Sequence, residues 1–97
     1  MASGKGGAII DFGTGNGSNE ASVAVTGQTA ISATSVCEAW VMGTNSTVDH
    51  TADDHKYFPV FAALTCGAPT AGVGFTIFAR STQKLTGKWN VNYVWAD

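Results

Sequence analysis

Apolar residues in this chain tend to recur at every second position, broken about every ten residues by clusters of Gly, Asn, Thr and Ser. That is the pattern of short strands separated by turns. No stretch sustains a 3.6-residue period. Residues 8–12 (AIIDF) read as a first strand, and the glycine-rich 13–19 (GTGNGSN) as a loop. Residues 20–26 alternate, with Ala21, Val23 and Val25 on one side and Ser22, Ala24 and Thr26 on the other. After a turn at Gly27 and Gln28, residues 29–33 read as a short strand with Ile31 inward. The next strand, 36–42 (VCEAWVM), has two mixed faces, and a Trp40 turned inward would leave Glu38 in need of a partner. Residues 57–66 (YFPVFAALTC) form an apolar run with Pro59 near its start, where a residue that cannot donate to a ladder is tolerated. Residues 67–72 read as a turn, 73–80 (VGFTIFAR) as a strand and 81–87 as its connection.

The clearest strand is 88–96 (KWNVNYVWA): Trp89, Val91, Tyr93 and Trp95 share one face, and Asn90 and Asn92 lie on the other. Each large side chain of that row contributes roughly 1.5–3 kcal/mol when fully buried. The expected fold is therefore all-β, an antiparallel β-sandwich of jelly-roll-like type. It forms one domain over residues 1–97, with residues 1–7 as a loose, flexible N-terminal arm.

Composition narrows the function classes. Of 97 residues, 44 % are hydrophobic and only 12 % are Asp, Glu, Lys or Arg, about half the usual charged share. So few charges on a small domain point to a surface partly covered by a partner. The net charge is −2, and the five basic residues form no compact run, which argues against nucleic acid as a partner. No apolar stretch approaches the ~20 residues of a membrane span, and residues 1–7 lack the apolar core of a secretory leader. The expectation is a chain made in a cytosol, where the sequon at Asn45 has no glycosylation meaning. Cys37 and Cys66, 29 positions apart, lack metal-ligand spacing. They read as buried thiols, with a disulfide between neighbouring strands as the alternative.

The glycine-rich loop is not followed by a helix pattern or by GKS or GKT, so it does not read as a phosphate cradle. The one dense set of titratable groups is 49–55 (DHTADDH), inside the polar stretch 43–55. Thr51 with Asp54 three residues on is a capping pair able to begin a helical turn there. Asp49, His50, Asp53 and His55 have metal-ligating chemistry, but histidines five apart are not the i, i+4 pair of a helical zinc motif. The favoured reading has no metal, no cofactor and no catalytic residue. These side chains instead fix a long loop or a contact between subunits. In a symmetric trimer, one histidine per subunit near the axis would make assembly acid-sensitive. Trp40, His50, His55 and Tyr57 are the expected interface residues.

Four segments, 17–35 (GSNEASVAVTGQTAISATS), 48–55 (VDHTADDH), 71–79 (AGVGFTIFA) and 85–97 (LTGKWNVNYVWAD), resemble a group of short proteins encoded among the virion structural genes of tailed bacteriophages. The closing G-x-W-x-V-x-x-V-W pattern is similar to the C-terminal strands of phage fibre and tail β-domains. The resemblance implies a virion structural protein that is not an enzyme. It implies a sandwich assembling as a homotrimer, with itself and other virion proteins, such as the major capsid protein, as partners. Capsid decoration is the favoured role. The alternative is a tail or fibre-tip domain binding a host receptor or glycan, with Tyr57 and Phe58 as the aromatic candidates.

Overall fold

The computed structural model describes residues 2–97. Six strands and one helix follow in the order β1 (Ser3–Asp11), β2 (Ser18–Val25), β3 (Val36–Trp40), α1 (Ala52–Phe61), β4 (Ala62–Cys66), β5 (Phe75–Leu85) and β6 (Lys88–Ala96). They form two antiparallel three-stranded sheets, β1-β6-β3 and β2-β5-β4. The sheets face each other as a β-sandwich, with β6 over β5 in the middle, β1 over β2 at one edge and β3 over β4 at the other. Among the described residues no helix is long and apolar enough to cross a membrane.

The C-terminal strand behaves as its alternation dictates. Trp89, Val91, Tyr93 and Trp95 are all buried, and β6 is the central strand of its sheet. Facing it from the other sheet are Val25, Phe75, Ile77 and Ala79, with Ile10 and Phe12 completing the core. Ala21, Val23 and Val25 of β2 turn inward as the pattern requires. In β3 the inner face belongs to Cys37 and Ala39, while Val36, Glu38 and Trp40 point outward. Glu38 therefore sits in solvent and needs no buried partner.

Four segments depart from the sequence reading. The described part of the expected N-terminal arm is not loose, because Ser3 pairs with Ala96 and the ladder continues to Asp11 opposite Lys88. The glycines that suggest flexibility have a packing role. Gly4 and Gly6 face inward, where a Cβ on Gly4 would collide with the Trp95 indole and one on Gly6 would come within 2.6 Å of the Tyr93 hydroxyl. Met1, also assigned to the arm, lies outside the described residues.

The second departure is residues 57–61, which are helical. Thr51 and Asp54 form a full capping box that starts α1, and the helix runs through Pro59. The missing proline N–H falls near the helix end, and the turn closes when the Ala62 N–H donates to the Phe58 carbonyl. Helical spacing carries His55 and Phe58 together into the core. Third, residues 29–33 form turns rather than a strand, although Ile31 is buried as expected. Fourth, β5 continues to Leu85, so only residues 86–87 connect it to β6.

The two ends of the chain are tied together. The Asp97 N–H donates to the Ala2 carbonyl (3.0 Å) and the Ala2 N–H to Asp97 Oδ2 (3.2 Å). The Ser35 hydroxyl donates to Asp97 Oδ1 at 2.7 Å. The Ser35 hydrogen bond, helped by the Ala2 N–H, holds the Asp97 carboxyl below its ordinary range. A carboxyl depressed in the folded state stabilises above its unfolded pKa and loses that contribution as pH falls through the folded one. Asp97→Asn is expected to flatten the loss of stability below about pH 4, measured as urea midpoints over a pH series. An unchanged acid limb would show that Asp97 contributes nothing to it.

Candidate functional site

The polar stretch 43–55 is explained by the lengths of β3 and β6. β3 has five residues and ends with Trp40 opposite Asn92. β6 runs on to Lys88, so on that side the backbone groups of Asn90 and Lys88 have no strand beside them. Such groups need hydrogen-bond partners when water cannot reach them freely. Four side chains supply them. The Asn90 N–H donates to His55 Nε2 (2.9 Å), and the Asn90 carbonyl accepts from Asn45 Nδ2 (3.0 Å). The Lys88 N–H donates to Asp49 Oδ2 (2.8 Å), and the Lys88 carbonyl accepts from the Thr47 hydroxyl (2.6 Å). The loop thus continues the course of β3 along β6, with side chains in place of a backbone ladder. An open strand edge is a template for unwanted pairing, and covering it is a recurrent protective device.

The two histidines are fixed differently. His55 is 0 % exposed. Its Nε2 accepts from Asn90, so Nδ1 carries the proton and donates to the Thr51 carbonyl (2.8 Å). His50 stacks on the Trp89 indole with ring centroids 3.7 Å apart. Its Nε2 faces the Thr86 carbonyl (2.6 Å) and its Nδ1 faces Asp54 Oδ2 (3.2 Å). A neutral ring donates to one of these acceptors at a time, and a protonated ring to both. Trp89 is the hub of the region, also touching the rings of His55, Phe58 and Phe61.

His55, expected at an interface, is instead buried in the chain's own core on the inner face of α1, with both ring nitrogens occupied. The acid-sensitive histidine cluster expected at a trimer axis has no support from its position. His50 is largely covered, whereas Trp40 (38 % exposed) and Tyr57 (66 % exposed) are open to a partner. The metal-ligating residues are not brought together. Asp49 is turned to Lys88, Asp53 points outward and pairs with Lys56 at 3.3 Å, and the histidines serve separate partners. Among the described residues no three His, Cys, Asp or Glu side chains form a metal-binding group.

The glycine-rich loop meets this stretch at one end of the sandwich. Gly13, Thr14 and Gly15 line a shallow hollow with Asp49, His50, Thr86 and Gly87. β2 follows the loop, so no helix N-terminus points into the hollow, and the Asp49 carboxylate disfavours an anion there.

Alternation had a meaning that the sequence reading missed. Asn45, Thr47 and Asp49 are spaced two apart and all three side chains reach β6, although the backbone bends at 48–50, where the Thr47 N–H donates to the His50 carbonyl. Also unanticipated were the outward-facing apolar residues Val36, Met42, Val48 and Val60, all strongly exposed. Compared with family models, with curated proteins and with solved structures, the chain matches none.

Proposed function

We propose that this protein is a virion structural protein of a tailed bacteriophage, most simply a capsid decoration subunit acting as a homotrimer through contact area. The observation that carries the reading is the exposed apolar surface around the junction of β3 and α1. Trp40 and Pro59 line one apolar pocket there. Met42 lies beside Gly43, which packs against the Lys56 stem, and Tyr57 and Val60 stand on the outer face of α1 at 66 % and 79 % exposure. On a chain with few charges, exposed apolar side chains of this size support a protein-contact surface. The resemblance of four segments to small virion proteins supports the same reading. So does the use of the titratable 49–55 run as scaffold.

Sedimentation of the purified chain, alone and mixed with phage capsids, tests the proposal. The expected result is a trimer that co-sediments with capsids. Trp40→Asp, which places a charge on an exposed position, should shift the trimer to monomer and abolish capsid binding without changing the circular-dichroism spectrum. A wild-type chain that stays monomeric and ignores capsids would refute the reading. The exposure of Tyr57 favours a tail or fibre-tip role as the second reading, for which glycan-array binding lost in Tyr57→Ala is the distinguishing result.

A further inference from the structure

The two cysteines are brought together by the topology. β3 is antiparallel to β6 and β4 is antiparallel to β5. Because β5 and β6 are consecutive strands on either side of the 86–87 connection, β3 and β4 run antiparallel to each other across one edge of the sandwich. Cys37 lies opposite Trp95, and Cys66 lies opposite Ile77. Trp95 and Ile77 are within one residue of the same distance from that connection, so the cysteines sit at the same height. Both turn inward and pack against the core. The strands are in contact along this edge: Ala39 and Val41 of the β3 side share an apolar pocket with Ala62 and Leu64 of β4. Continuing that antiparallel match past Ala39 and Leu64 puts Cys37 against Cys66.

We propose that Cys37 and Cys66 are a redox pair, free thiols in a reducing compartment that oxidation joins into a disulfide stapling the two sheets along the β3/β4 edge. This inference does not depend on the assembly reading. The pair is free and half-buried in the structure. Burial pushes the Cys66 thiol up to about 11, and the neighbouring Cys37 and Glu38 charges add to the effect. Burial raises the Cys37 thiol as well. Both thiols are therefore mostly protonated near neutrality, which makes the first attack slow and keeps the pair reduced until an oxidant is abundant.

The oxidant class is a small-molecule disulfide such as oxidised glutathione. One cysteine thiolate attacks its sulfur–sulfur bond, forming a mixed disulfide and releasing one glutathione thiolate. The second cysteine then attacks the protein sulfur of that mixed disulfide and displaces the other glutathione. The two protein thiols give up two electrons and two protons, and the two glutathione sulfurs leave as thiols.

The test uses the folded, full-length chain incubated with oxidised glutathione at mildly alkaline pH. The expected product is a chain lighter by two hydrogens and not cross-linked to another, with no thiol titratable after denaturation and one peptide pair linking Cys37 to Cys66. Its melting temperature should exceed that of the reduced chain by roughly 10 °C or more, and dithiothreitol should reverse the change. Cys37→Ser and Cys66→Ser should each show no oxidative rise in melting temperature. Should either variant fail to fold, the wild-type peptide map decides alone. Thiols that stay free, carry glutathione on both cysteines, or link only different chains would each overturn the proposal.

Discussion

Replacing Trp89 with alanine is expected to destabilise the fold by about 3–5 kcal/mol, the range for removing a buried aromatic side chain. For a domain of this size the whole stability is on the order of 5–15 kcal/mol, so the variant should be largely unfolded near its former denaturation midpoint. Trp89 is 3 % exposed and joins three parts of the molecule. It belongs to the central strand β6, its ring packs with Phe58 and Phe61 of α1, and its other contacts are the imidazoles of His50 and His55. Its Nε1 also donates to the Thr86 carbonyl at the β5–β6 connection. Truncation thus loosens the helix and the polar loop together with the sheet. Equilibrium unfolding in urea, followed by circular dichroism, measures the loss. Trp89→Phe, which keeps a ring against α1 but gives up the indole N–H, should fall between the two. An alanine variant within about 1 kcal/mol of wild type would mean that α1 is held by something other than this ring.

The same residue shows what the chain discloses by itself. The row Trp89, Val91, Tyr93, Trp95 is legible because the signal is local: four large side chains at period two with asparagines between. β2 is legible for the same reason. The N-terminal strand is not, because glycine carries no hydrophobic signal. Gly4 and Gly6 are small so that Trp95 and Tyr93 fit above them, and the cause lies some 90 positions away in the chain. Residues 57–61 are ambiguous in another way. A short apolar run fits a strand or a helix turn equally, and the capping box at Thr51 and Asp54 decides it by starting a helix that the run then continues. The far half of β5 reads as a connection because 81–84 (STQK) is polar. It is drawn into the sheet by Ala62 opposite Ser81 and Ser18 opposite Leu85.

The candidate site was legible in kind and not in detail. Acidic, amide and imidazole side chains in a long loop point to scaffolding. Which backbone groups they serve follows from a difference in length between β3 and β6, and no residue within the loop encodes that difference. With that stretch of β6 closed by side chains, the unpaired ladder groups on this side of the sandwich are confined to the outer edges of β3 and β4.

His55→Leu is the variant that isolates this closure. Leucine fills a similar space under α1, so little of the effect comes from a cavity. It removes the acceptor for the Asn90 N–H, whereas the Thr51 carbonyl loses the imidazole donor but keeps the backbone N–H of residue 55. An unpaired buried polar group costs about 1–3 kcal/mol, so the expected loss is about 2 kcal/mol. Thr47→Ala removes the donor to the Lys88 carbonyl and the acceptor for the Asp49 and His50 N–H groups, and Asn45→Ala removes the donor to the Asn90 carbonyl and Asn92 Oδ1, all at the more accessible part of the same edge; each should cost about 1 kcal/mol. Hydrogen exchange separates edge closure from general destabilisation. In His55→Leu the Asn90 amide should lose protection by more than the global change accounts for, while the Trp89 and Val91 amides, which face β1, should track global stability. A leucine variant that costs less than about 1 kcal/mol and leaves the Asn90 amide protected would show that the β6 edge is satisfied without the imidazole.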